Sequence, residues 1–241
     1  MQININSLIG HAIQARDGEI GKVEDFYFSD DNWTIRYLIV KTGNWFSSRK
    51  VLISPEVIED TLWDKKTFSV KLTIEQIRNS PNIDTDKPVS RQHEIDLHRH
   101  YHWLPYWGSG FNPGGGGLWN VLSEYPAIAE NTEPEADTID SQADADQHLR
   151  NTNAVTGYHV QASDGEIGHV TDFIIDTQTW QFIFLVIKTF NWTDGKKVLL
   201  PVNEIKEIQW DNSRVIANTT ITEFKKSKLF TESEFLHPLQ A

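Results

Sequence analysis

Residues 10–77 recur at 157–224 without insertion or deletion, with about 25 of the 68 positions identical at a constant offset of 147. The paired stretches open GHAIQARDGEIGKVEDF and GYHVQASDGEIGHVTDF. An ungapped copy of this size is long enough to be a small domain, so the chain of 241 residues divides into a first module (1–85), a linker (86–155) and a second module (156–241). Whatever one copy folds into, the other must fold into as well. Chemistry present in both copies is framework first, and individuality belongs to what is not shared.

Inside each copy the apolar period is two. Asp17-Gly18 and Asp164-Gly165 between apolar runs are hairpin signals, because glycine accepts turn dihedrals without a Cβ clash. Strands are predicted at 12–15, 21–29, 34–42, 50–53 and 67–72, with counterparts 147 residues on. TIRYLIVKT and QFIFLVIKT are apolar on both faces, which predicts a central strand covered on both sides. Thr73 and Thr220 are predicted N-caps of short amphipathic helices. Five or six short strands in about 70 residues suggest a small closed or half-closed barrel, since closure removes sheet edges a module this small could not protect. The fold class is therefore all-β: two small barrels related by internal duplication, each followed by a short helix.

Composition narrows the function. The chain has no cysteine, which excludes disulfides, thiolate nucleophiles and Cys-ligated metal centres. No run of eighteen apolar residues exists and the first nine residues lack a basic, then apolar, leader pattern, so the expectation is a cytoplasmic protein with no membrane span. The net charge is −12. Lys and Arg against Asp and Glu number 10 and 12 in residues 1–85, 4 and 11 in 86–155, and 8 and 11 in 156–241. Such a balance repels phosphate backbones, so no direct nucleic-acid contact is expected, and 124–146, acidic without a single base, reads as a self-repelling tether.

The order G-x-x-(V/I)-x-A-x-D-G-E-x-G-x-V-x-D-F, a hydrophobic strand ending in K-T, then K-V-L, resembles the PRC-barrel family, and it does so in both modules. That family takes in the cytoplasmic domain of the photosynthetic reaction-centre H subunit and the C-terminal domain of a ribosomal small-subunit maturation factor. The resemblance implies a β-barrel adaptor that binds another protein, without catalytic residues or cofactors. Two alternatives come with it: an accessory protein of a photosynthetic or electron-transfer complex, and a ribosome-assembly-type protein-binding factor.

The shared residues have structural readings. Asp17, Gly18, Gly21, Asp164, Gly165 and Gly168 serve turn and bulge geometry; a phosphate loop would need a helix N-terminus next and would not carry two carboxylates. Asp25 with Lys41, and Asp172 with Lys188, read as structural pairs or backbone caps rather than an acid–base site, which would need a second group of divergent pKa. Trp33, Trp45, Trp180 and Trp192 flank turns, and Trp103 and Trp107 lie in the linker. All six are candidate partner-binding residues, with core or inter-module packing as the favoured role for the paired ones. The two barrels are expected to pack as an intramolecular pseudo-dimer.

The unshared linker segment 89–107 holds four of the nine histidines. With Ser90 as N-cap, Glu94, His98 and His102 fall on one helical stripe, a spacing able to chelate zinc, nickel or copper, although a docked aromatic helix is the favoured reading. Residues 108–117, GSGFNPGGGG, lack the Lys-Ser/Thr of a phosphate loop and read as a hinge. Arg49, where the other copy has Lys196, belongs to a stretch, residues 46–49 against 193–196, that differs between the copies.

Overall fold

The computed structural model describes residues 1–43, 49–83, 89–104, 106, 149–190 and 196–235. The chain begins with β1 (Gln2–Asn4) and a 3-10 turn, followed by β2 (Ala12–Ala15), β3 (Gly18–Ser29), β4 (Thr34–Thr42), β5 (Lys50–Ile53), β6 (Ile58–Leu62) and β7 (Thr67–Val70). Helix α1 (Ile74–Arg78) and helix α2 (Arg91–Tyr101) come next. The second module repeats the series as β8 (Leu149–Asn151), a helical turn (Thr152–Val155), β9 (His159–Ala162), β10 (Gly165–Asp176), β11 (Gln181–Thr189), β12 (Lys197–Pro201), β13 (Ile205–Gln209), β14 (Arg214–Ala217) and the helix Ile221–Phe224. The hinge and the acidic tether lie outside the described residues, as do Trp45, Trp107 and Trp192. No helix among the described residues is long and apolar enough to cross a membrane.

Strand β4 spans the predicted 34–42, and both helix caps form as read: Thr73 and Thr220 each accept from the third helical residue, whose Gln76 or Glu223 side chain returns a bond to the cap backbone. The sequence also anticipated a helix after Ser90, whose hydroxyl accepts from His93 N at 3.2 Å. Closure is where the expectation needs correcting. Among the described residues the strands run β6-β7-β2-β3-β4-β5 and β13-β14-β9-β10-β11-β12, and the two ends of each run are not hydrogen-bonded, so each barrel is open. The cause is local: β5 passes into β6 through a 3-10 turn at Pro55–Val57, and β12 into β13 through one that follows Pro201. Proline has no N–H to give a ladder, and the 3-10 turn redirects the chain instead of folding it into a hairpin.

Four strands lie outside the predicted spans: β6 and β13, and the first strands β1 and β8. β1 pairs with β10 of the other module (Ile3↔Ile175), and β8 pairs with β3 (Phe28↔Arg150). At the offset of 147 these are one pairing made twice, so each module lends its first strand to its neighbour. Three-residue strands outside the aligned repeat carry no period to detect.

The modules meet directly at the turns before β4 and β11. Ile35 N donates to Trp180 O at 2.8 Å and Phe182 N donates to Trp33 O at 2.7 Å, with Thr34 opposite Gln181. Each bond is the repeat-image of the other, which makes this an isologous contact within one chain. Trp33 and Trp180 both hold φ at 55°, a left-handed conformation costing a bulky residue about 1–2 kcal/mol. The seam offsets that strain. The Trp33 ring stacks on Phe28 at 5.8 Å and meets Phe182 of the other module edge-on at 6.5 Å, while Trp180 meets Phe68 at 5.9 Å. One hydrophobic cluster consequently runs through both modules.

Candidate partner-binding site at the module seam

Asp25 and Asp172 are buried in the middle of β3 and β10. Their partners are not Lys41 and Lys188, which are exposed, and this corrects the predicted pairs. Asp25 accepts from Phe26 N at 2.8 Å, from the Thr152 hydroxyl, and from Asn153 N at 3.4 Å. Asp172 accepts from Phe173 N at 2.8 Å, from Asn4 Nδ2 at 3.1 Å and from Asn6 N at 3.2 Å. Each carboxylate therefore caps the segment lent by the opposite module. Burial raises both carboxyls above their ordinary value, against the lowering effect of these donors.

The other shared residues also go into the frame. Asp17 and Asp164 accept from Ile74 N and Ile221 N, both at 2.8 Å, and so tie the first hairpin of each module to its helix. Gly21 and Gly168 sit where backbones nearly touch; a Cβ there would lie 2.0 Å from Lys41 O and 2.2 Å from Lys188 O. Gly18 and Gly165 close the turns, facing the Ile74 and Ile221 side chains. Arg49 is structural as well, donating to Ile77 O and Arg78 O at 2.6 Å and so satisfying carbonyls at the end of α1.

Helix α2 lies over the first module. Its buried Glu94 accepts from Tyr37 Oη at 3.0 Å, from Tyr106 Oη at 2.6 Å and from Arg91 at 2.8 Å. His98 Nε2 lies 2.8 Å from the same Tyr37 oxygen. With the Tyr37 proton directed to Glu94, His98 carries its hydrogen on Nε2 and donates it to Tyr37. Burial drives His98 down to about 4, so the ring is neutral at pH 7, and burial beside Glu94 drives the Tyr37 and Tyr106 hydroxyls well up. The stripe of Glu94, His98 and His102 is not brought together as a metal site: His102 leaves the helix at φ 58° and is exposed, and no group of three His, Asp or Glu able to hold an ion occurs among the described residues. Trp103 stacks on Tyr101 at 4.4 Å, so this candidate ring serves to pack the end of α2. Trp33 and Trp180, candidates for a partner or for inter-module packing, both lie at the seam, where Trp180 also lines a cleft.

A cleft of about 630 Å³ opens at that seam, in the gap of the first barrel. One wall is the start of β4, from Thr34 to Tyr37; the other is Glu56 and β6 with Trp63; Trp180 of the second module closes one end, and His98 and Tyr106 reach it from the linker. The Arg36 guanidinium lies 3.8 Å above the Tyr106 ring. Arg36 and Tyr37 were not singled out from sequence. The available signal was the repeat itself, since the second copy has Ile183 and Phe184 at these positions. There the outer face is covered differently, by Phe230 and Phe235 over Phe184 and Val186.

Fold and site together define a duplicated, strand-exchanged open barrel with a cleft at its seam and its buried carboxylates engaged in holding the chain to itself. The chain belongs to the PRC-barrel domain family, whose model matches residues 1–76 and 153–226. No curated protein matches the chain.

Proposed function

We propose that this protein is a non-enzymatic adaptor that binds another protein through its paired barrels. The supporting observation is the use of the buried carboxylates: among the described residues these are Asp25, Asp172 and Glu94, and each joins one element of the chain to another. Catalytic carboxylates are instead poised toward a substrate with divergent pKa values. The frame is rigidly cross-linked by exchanged strands, which suits a body that presents a fixed surface. Membership of a family whose domains are interaction modules supports the same reading.

The test is retention of a specific polypeptide by the immobilised full-length chain from the organism that makes it, followed by native mass spectrometry of the isolated pair. A defined stoichiometric complex is expected. Turnover of a small substrate by the chain with no retained partner would overturn the proposal.

A further inference from the structure

The seam cleft differs from its repeat-image in ways that specify an occupant. On one side of β4 the whole strand pairs with β3 (Thr34↔Ser29 to Thr42↔Gly21). On the other side the ladder to β5 begins only at Leu38, and the pairing with β11 reaches only Thr34. Residues 35–37 thus have no strand neighbour there among the described residues, beyond the single bond from Ile35 N to Trp180 O. In the second module β12 runs one residue further, to Pro201, and covers Phe184. Across the cleft β6 pairs only with β7 and ends the sheet, so its other edge is open among the described residues.

Charge separates the two copies further. Glu56, Glu59 and Asp60 on the β6 wall correspond to Asn203, Lys206 and Glu207. Glu59 is 3.8 Å from Arg16, a long contact between exposed groups, and Arg36 is the one Lys or Arg among the described residues lining the cleft. Half-buried Trp63 and Trp180 offer aromatic surface beside the acids.

An open strand edge recruits an extended backbone, carboxylates beside it select cationic side chains, and indole faces hold them. We infer that the cleft of the first module binds an extended, Lys- or Arg-bearing segment of a partner protein as an added strand along β6. This rests on the adaptor reading and gives the partner its chemistry.

The experiment titrates the full-length chain, observed by amide NMR, with a ten-residue peptide alternating Lys and Val, and with the same peptide carrying Glu for Lys. The Lys peptide is expected to give saturable shifts confined to β6 and residues 34–37, weakened by salt, and the Glu peptide none. Glu59→Lys/Asp60→Lys, both exposed, should bind about tenfold more weakly with an unchanged melting temperature. Absence of saturable shifts up to about 1 mM, a weak limit for specific recognition, equal binding by the variant, or shifts mapping elsewhere would overturn the inference. If the partner isolated with the native chain is held equally by the charge-reversed chain, this cleft fails while the adaptor reading stands; if no partner is held at all, the adaptor reading itself fails.

Discussion

Asp25→Ala removes the acceptor for Phe26 N, the Thr152 hydroxyl and Asn153 N, two of these contacts being buried and the third partly so. A buried donor left without a partner costs about 1–3 kcal/mol, which gives a loss of about 3 kcal/mol once water has reached the most accessible of the three. For a chain of this size that corresponds to a fall in Tm of about 6–12 °C. Calorimetry with parallel urea unfolding measures it, and Asp172→Ala should behave alike because it holds Asn4 and Asn6 in the same way. The decisive version is a double-mutant cycle with Thr152→Val. If the carboxylate acts by anchoring the exchanged segment, the double variant loses at least about 1 kcal/mol less than the sum of the singles. Additive losses, or a loss in Asp25→Ala below about 0.5 kcal/mol, the range of an ordinary surface change, would refute the anchoring argument. A pH series adds a sign. Burial raises the folded carboxyl above its unfolded value, so proton uptake favours the folded state below that raised value. Wild type should therefore gain on Asp25→Asn as pH falls toward the ordinary carboxyl range, and hold no such gain at neutral pH.

Gly21→Ala should cost about 1–3 kcal/mol in urea unfolding, since the added methyl lands on a backbone oxygen that cannot swing aside. Tyr37→Phe removes bonds to Glu94 and His98 and should speed amide exchange along α2, leaving β10 and β11 protected; unchanged exchange in α2 would mean the helix is held by its apolar face alone. His11, buried against Phe68 and Trp63, and His98 are both depressed to about 4 by burial, so the unfolded chain takes up more protons between about pH 4 and 6.5. Their contribution is complete above 6.5 and lost as pH falls through that window, at most about 3 kcal/mol each, and His11→Phe should flatten the acid side of a Tm–pH curve. By light scattering the intact chain should run as a 27.7 kDa monomer, whereas residues 149–241 alone should dimerise, each copy lending the other its first strand; a stable monomer of that fragment would count against the exchange.

Much of the frame could be read from residues alone. The period-two runs placed β4, the threonines placed the helix starts, Ser90 placed α2, and the K-V-L runs placed β5 and β12. These signals are local, each element's register and cap being written in its own side chains. The site was less legible. Asp25 was seen to be structural, as a pair with Lys41 or as a backbone cap, but a carboxylate in a strand does not announce which distant segment brings its donors. Trp33 and Trp180, beside turns, could be read either as inter-module packing or as partner anchors; the pairing of those turns with each other puts both at the seam.

The sequence by itself determined that the protein is one small β module built twice, with its turns, caps and most strands in place, because an ungapped repeat and a two-residue period constrain the chain wherever they occur. Three things only the tertiary structure decided: that the first strands change places, that among the described residues neither barrel closes, and that a cleft with an acidic wall, flanked by strand edges unpaired among those residues, lies where the modules meet. Each depends on contacts between residues far apart in the chain, whose free energy comes from burial and from donors finding acceptors across the seam, and no local pattern encodes those.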